Sequence, residues 1–279
     1  MLPPVIKWTG SKRSQAEAIV DEFPKHIDTY YEPFLGGGSV LGELLQRDEI
    51  SVGRYVCSDV NKDLISIWQT IKDNPHRLAE EYRRRWETMK SLPNIAEKRD
   101  FFNKERIVLN MGERGINPHA FFFVLRTCYN GMVRYNSKGE FNAPFHLTRD
   151  GIFPDKMENI IFLWHSLITA KDVQFVARSY EDMPQTNEQD FVYLDPPYAE
   201  SGSLYFGGFE KDKFFAWLGR QNCNWALSYD GKVNNSEVKA EVPKELFKRH
   251  ILLPSGNSSF SRLKGRKEQS VFESLYLSF

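Results

Sequence analysis

The chain has no excess of either charge: Lys and Arg number 37, Asp and Glu number 37, and the net charge is zero. A basic surface for a polyanion must therefore be local if the fold builds one. Cysteine is scarce. Cys57, Cys128 and Cys223 stand far apart with no Cys-x-x-Cys pair, which argues against a disulfide framework and fits reduced thiols packed in a core. The six histidines show no metal-ligand spacing, so no metal is expected. Long apolar runs are missing too, since Ala120 to Leu125 and Ile160 to Trp164 fall far short of a membrane span. The opening apolar residues break at Lys7, too soon for a secretory leader, and the expectation is a cytoplasmic protein with no membrane partner. There are no internal repeats and no extended low-complexity tract. What is present is 279 residues, 41% hydrophobic and 27% charged, ample for one large domain or one domain with an insertion.

The chain is organised around Asp195-Pro196-Pro197-Tyr198. Before it, Phe191 to Leu194 is a short apolar and aromatic run that reads as a buried strand. Two prolines then stop the strand and hold the backbone extended, with a carboxylate in front and an aromatic ring behind. Such a turn, at the C-terminal end of a strand, is where an open α/β sheet keeps its ligand. The Asp195 carboxylate and the Pro196 carbonyl offer acceptors to an amino group, and Tyr198 offers a face for stacking. A plain surface turn of the same composition is the alternative.

Upstream, Ile6 to Lys12 is a Gly-containing loop that leads into a helix with Ala16, Ile19, Val20 and Phe23 on one face. Tyr30 to Phe34 is a strand candidate, followed by Gly36, Gly37, Gly38 and Ser39 and by a helix from Val40. Strand, glycine turn and helix make the βα unit that offers backbone amides to a nucleotide-like ligand. A second strand, Arg54 to Ser58, closes on Asp59, about 20 residues beyond the glycines, the usual place for an acid that bonds ribose hydroxyls. Leu41 stands where the dinucleotide fingerprint wants a third glycine, which counts against NAD. Helix periodicity resumes at Leu64, Trp68 and Ile71.

From about Asn74 the alternation of strands and helices stops, and a mainly helical insert is expected over residues 73–155. Arg77 to Lys90 reads as an amphipathic helix with Leu78, Tyr82, Trp86 and Met89 inward and Arg83, Arg84 and Arg85 largely outward, as a solvated face or a DNA contact. Asn117-Pro118 looks like an N-cap and first-turn proline opening a helix through Leu125. Tyr129 to Asn136 and Lys138 to Phe141 carry the turn signals of a hairpin or loop. The α/β pattern then returns: a helix over Ile160 to Thr169, strands at Val173 to Ala177, Phe191 to Leu194, Asn224 to Ser228, His250 to Leu253 and Gln269 to Phe279, and a helix with Phe214, Phe215, Trp217 and Leu218. Pro254 to Lys267, basic at Arg262, Lys264, Arg266 and Lys267, is a solvated loop or a phosphate-contacting arm.

These stretches, taken together, resemble the Dam family of DNA adenine-N6 methyltransferases. The matching residues are Lys7-Trp8-x-Gly10-x-Lys12, Glu32-Pro33-Phe34-x-Gly36-x-Gly38-Ser39, Asp59-x-Asn61-x-Asp63-Leu64, Tyr129-Asn130-Gly131-x-x-Arg134-Tyr135-Asn136, Gly139-x-Phe141-Asn142-x-Pro144-Phe145, Ser179-Tyr180 and Asp195-Pro196-Pro197-Tyr198. They occur in the family's order from residue 6 to about 200; Ser255 to Arg262 departs from the pattern of the GATC-methylating members. The Pro-Cys nucleophile of cytosine-C5 methyltransferases is missing.

The resemblance implies a doubly wound, mainly parallel seven-stranded α/β sheet with the last strand reversed. Residues 1–72 and 156–279 would form the catalytic domain, with a DNA-recognition insert at 73–155. It implies S-adenosylmethionine as cofactor, double-stranded DNA as partner, and a monomer. By the same resemblance Trp8, Lys12, Phe34, Gly36, Gly38, Asp59, Tyr180 and Asp195 surround the cofactor, although Trp8 and Phe34 could be core packing and Lys12 a surface charge. Asp195, Pro196, Pro197 and Tyr198 would carry the chemistry: two acceptors take the N6 hydrogens of a flipped-out adenine, and Tyr198 stacks on it. Lys7, Tyr129, Asn130, Met132, Arg134 and Asn136, with Arg262 and Lys264, would contact DNA. Arg134 would read a guanine in a short site containing GAT, with GATC foremost, or else anchor a phosphate. A methyltransferase acting on RNA or on protein glutamine could share the proline turn, and a non-catalytic DNA-binding protein would need no cofactor loop.

Overall fold

The apolar runs read as strands pair into one sheet in the computed structural model, which describes residues 2–197, 209–233, 242–255 and 271–279. The strands are β1 (His26–Glu32), β2 (Ser51–Asp59), β3 (Gln174–Ala177), β4 (Phe191–Leu194), β5 (Asn224–Val233), β6 (Arg249–Ser255) and β7 (Val271–Leu277). Their order is β3-β2-β1-β4-β5-β7-β6. The pairings from β3 through β5 are parallel, and β7 runs antiparallel to both β5 and β6. All four residues of β4 are buried, as a central parallel strand covered on both faces requires. Successive side chains divide between two cores: Phe191 and Tyr193 join the larger cluster, Val192 and Leu194 the smaller one on the opposite face.

Among the described residues the helices are α1 (Ala16–Asp21), α2 (Ser39–Leu44), α3 (Lys62–Asp73), α4 (Pro75–Ser91), α5 (Ile95–Asn110), α6 (Pro118–Thr127), α7 (Pro154–Ala170) and α8 (Lys211–Leu218). The helices α4, α5 and α6 follow α3 with no strand between them, and their buried residues Leu78, Tyr82, Met89, Phe102 and Phe121 belong to the larger core cluster. The helical stretch is therefore built onto the core rather than hung from it.

Three local readings change. Arg85, expected outward, is buried and bonds Glu81 and, at 2.8 Å, Glu105. Its neighbours Arg83 and Arg84 are paired with acids as well, Arg83 with Asp155 at 2.7 Å and Glu158 at 2.8 Å, and Arg84 with Glu81 at 3.0 Å. Asn117 precedes α6 as expected but makes no side-chain cap; its Nδ2 instead donates to the Val108 and Met111 carbonyls, tying the end of α5 to the start of α6. The helix α5 escaped the periodicity reading because only Phe102 and Leu109 on it are buried. Its start was legible in the reciprocal pair at its N-terminus, where Asn94 Oδ1 accepts from Glu97 N–H at 3.0 Å and Asn94 Nδ2 donates to Glu97 Oε1 at 2.8 Å.

Candidate active site

The strand order reverses between β1 and β4, and the C-terminal ends of β1, β2 and β4 open into one cavity of about 330 Å³. That is the crevice in which open α/β sheets hold ligands, and the volume lies within the usual ~300–1,000 Å³ of small-molecule sites. Each strand delivers one acid to the wall: Glu32 ends β1, Asp59 ends β2, and Asp195 follows β4.

The turn after β1 explains its glycines. Gly36 and Gly38 have φ of 50° and 65°, and a Cβ on Gly38 would meet the Trp68 ring at 2.7 Å. Gly36 N–H donates to Asp59 Oδ2 at 3.1 Å while Asn61 N–H donates to Asp59 Oδ1 at 3.0 Å, so the loop and the β2 end are locked together. Trp8 lies against the same loop, since a Cβ on Gly36 would stand 3.0 Å from its indole. Burial pushes Asp59 up to about 6 against the pull of these backbone amides. The Val60 amide also donates to Asp59, and a carboxylate with about four lone-pair sites keeps acceptor capacity beyond these three amides.

Lys12 is buried just before α1, so it is no surface charge. Its Nζ lies 2.7 Å from Asp195 Oδ1 and 3.4 Å from Glu273 Oε2, and it donates to the Gly10 carbonyl at 3.3 Å. Burial nevertheless raises Asp195 to about 6, with Lys12 pulling it down and Glu273 pushing it up. Glu32 is more strongly affected: desolvation raises it to about 8, although Tyr30 donates to it at 2.8 Å, and nearby Asp195 adds repulsion. Phe34 and Tyr180 face each other with ring centroids 5.5 Å apart at the far wall, and Phe209 and Lys213 complete that side. Tyr180 Cα and its neighbours are held by the short turn Tyr180–Asp182 after β3.

The segment after α6 is pinned rather than loose. Tyr129–Gly131 forms a tight turn, with Asn130 at φ 54° and Gly131 at φ 67°. Thr9 Oγ1 donates to the Gly131 carbonyl at 3.2 Å, and the Lys7 stem packs where a Gly131 Cβ would sit. Tyr129 stacks on His146, with centroids 5.4 Å apart. Further on, the hairpin bridges Tyr135 to Phe141, and Asn136 Oδ1 accepts from the N–H groups of Lys138 and Glu140 at 3.0 and 2.9 Å. Val133 and Tyr135 turn into the cavity wall, whereas Met132, Arg134 and Asn136 do not line it. Tyr135 is bound to the loop after β2: Asn61 Nδ2 donates to its hydroxyl at 2.8 Å, and the Arg114 guanidinium, held by Asp63 at 2.5 Å, lies 4.6 Å over its ring.

The structure thus gathers Trp8, Lys12, Phe34, Gly36, Gly38, Asp59, Tyr180, Asp195, Pro196 and Pro197 around one cavity. Lys7 lies against Gly131, and Tyr129, Asn130, Met132, Arg134 and Asn136 belong to the same segment, of which Val133 and Tyr135 but none of these five line the cavity. Tyr198, Arg262 and Lys264 lie outside the described residues. Residues that sequence reasoning missed are Glu32, Asn61 and Tyr135, which all stood inside recognised motifs, and Tyr193 and Glu273, which had no motif to mark them. Among the described residues no group of His, Cys, Asp and Glu side chains is arranged to hold a metal, and no helix is long and apolar enough to cross a membrane.

The family model for D12 class N6 adenine-specific DNA methyltransferases matches residues 8–256. The type II methyltransferase M.MjaIII of Methanocaldococcus jannaschii is 32% identical over 207 residues, covering 70% of this chain and 68% of that protein. The DNA adenine methylase of Escherichia coli K12 is 32% identical over 215 residues, covering 75% of this chain and 70% of that protein. The type II methyltransferase M.CviBI of Paramecium bursaria Chlorella virus NC1A is 26% identical over 203 residues, covering 71% of this chain and 69% of that protein.

Proposed function

Because the chain belongs to the D12 class of N6 adenine-specific DNA methyltransferases, we propose that it methylates N6 of an adenine flipped out of a short double-stranded DNA site. The site contains GAT, with GATC foremost, and the protein acts as a monomer. The observation that carries this reading is the meeting of the Asp195-Pro196-Pro197 turn and the Asp59-bound glycine loop on one cavity.

S-adenosylmethionine, the methyl donor of this class, supplies an activated methyl on a sulfonium with an excellent leaving group. The residues present fit it. Asp59 offers a buried carboxylate to ribose hydroxyls, Phe34 and Tyr180 offer aromatic faces to a base, and the bare α-carbons of Gly36 and Gly38 let the chain come close. Lys12 offers a cation beside Asp195 at the other end.

The exocyclic nitrogen of adenine is a poor nucleophile because its lone pair is delocalised into the ring. When the ionised Asp195 and the Pro196 carbonyl accept its two hydrogens, that lone pair is turned out of conjugation and toward the methyl group. Lys12 holds Asp195 in place and favours its ionised form. An adenine inside a duplex cannot reach Asp195, so it must leave the stack. The recognition segment at 129–136, within an insert spanning 73–155, supports the site-reading role: it is pinned to Lys7 and Thr9 on one side and to Asn61 on the other.

The test is transfer of labelled methyl from S-adenosylmethionine to duplex DNA, RNA and protein offered separately. Label in N6-methyladenine of DNA is the expected result. Label in RNA or protein, with none in DNA, overturns the reading.

A further inference from the structure

Arg134 does not float above the surface. Its Nε–H donates to Asn142 Oδ1 at 2.8 Å and its Nη2 donates to the Asn142 carbonyl at 2.8 Å. Asn142 N–H returns a bond to the Arg134 carbonyl at 2.9 Å. The preceding residue is anchored in turn: Phe141 N–H donates to Asn110 Oδ1 at 2.8 Å, and Asn110 Nδ2 donates to the Phe141 carbonyl at 3.0 Å. Asn142 therefore stands on backbone fixed from α5.

A guanidinium has five N–H groups in one plane. Asn142 takes the inner edge, made of Nε–H and one Nη2 hydrogen, and leaves the outer edge of Nη1 and the second Nη2 hydrogen. That outer edge carries two parallel donors, the pattern that matches N7 and O6 of guanine in the major groove. The partner is a neutral amide rather than a carboxylate, so the charge of Arg134 is not cancelled before it meets the base.

We propose that Asn142 is a positioning residue for sequence specificity, fixing the Arg134 guanidinium plane so that its outer edge reads guanine. This rests on Arg134 being the guanine reader. A free arginine would lose its rotamer freedom only on binding, to right and wrong bases alike; one already held in plane rewards only the base with matching acceptors.

The experiment compares kcat/KM on a duplex carrying the mapped site with that on the same duplex bearing adenine in place of the guanine. Asn142→Ala, which removes Oδ1, should reduce that discrimination about tenfold. Asn142→Asp, which keeps an acceptor for Nε, should hold discrimination within about threefold of the unaltered enzyme, even if its added charge lowers affinity for all DNA. In an Arg134→Ala background, Asn142→Ala should change discrimination no further. Both variants should keep the thermal midpoint and the cofactor affinity, read by calorimetry, and Asn142→Ser replaces Asn142→Ala if that variant fails to fold. Collapse of discrimination in Arg134→Ala, with none in Asn142→Ala, overturns the positioning role while leaving Arg134 as the reader. Equal losses in the Asp and Ala variants also overturn it, since the acceptor would then not be what matters. Unchanged discrimination in Arg134→Ala removes the reading of Arg134, and this inference with it.

Discussion

Among the acids that line the cavity, the three at the strand ends are raised by burial, Glu32 to about 8 and Asp59 and Asp195 to about 6. In each case the folded state binds a proton more tightly than the unfolded chain, whose carboxyls titrate near ~4. Stability on their account is highest below about pH 4 and falls as pH rises toward the folded values, because the unfolded state releases its protons first. Glu32→Gln keeps an acceptor for the Tyr30 hydroxyl and removes the titration. Its thermal midpoint should exceed that of the unaltered protein by a margin that grows from about pH 4 to about pH 8, and a margin independent of pH would contradict the placement of Glu32. Activity runs the other way. In the proposed role Asp195 is the stronger acceptor when ionised, so single-turnover rates should rise through about pH 6. Asp195→Ala should lower the rate by about 10²–10³-fold or more while leaving the fold intact; a loss within about tenfold is too small for the assigned role. Asp59→Asn should weaken cofactor binding by about 1.5–3 kcal/mol, read by calorimetry.

At the scale of elements, what the sequence made legible followed from how local each signal was. The strand ends at Asp59 and Asp195 could be read because apolar runs stop there at an acid followed by a cap or a proline, whereas the first strand, read as Tyr30 to Phe34, runs from His26 and stops at Glu32 before Pro33. The Arg83 to Arg85 run could not be read, because whether an arginine on α4 faces water depends on α5 and α7 supplying Glu105, Asp155 and Glu158. That assignment gives a paired expectation. Arg85→Ala strands Glu105 in a largely buried position and should cost roughly 3 kcal/mol, whereas Arg84→Ala should cost about 1 kcal/mol or less. Chemical denaturation distinguishes them, and equal costs would contradict the burial of Arg85. The turn before Arg134 carries a second expectation. A side chain on Gly131 would meet the Lys7 stem at 2.5 Å, at a positive φ. Gly131→Ala should therefore disturb DNA site preference while cofactor affinity stays as it was; loss of cofactor affinity instead would mean that the turn belongs to the cavity.

On the scale of the whole molecule, a neutral chain recognises its polyanion through placement rather than net charge. The doubly wound sheet brings the acids of three strands to one crevice, and the helical stretch between β2 and β3 returns the 129–136 segment to the rim of that crevice. Tyr135 and Asn61 join the two, so the residues that would read the site and those that would hold the cofactor share one rigid frame. That link was not visible in sequence, because the partners lie 74 residues apart and each motif was complete without the other. In the proposed function this frame delivers a methyl group to adenine at a guanine-containing site. The most direct measurement is base-resolution mapping of N6-methyladenine in DNA from cells that lack their own adenine methylation and express this protein or its Asp195→Ala form. Methylation at one short sequence with guanine beside the adenine, absent from the Asp195→Ala cells, is the expected result. Adenines methylated without a neighbouring guanine, or methylation that survives Asp195→Ala, would contradict it.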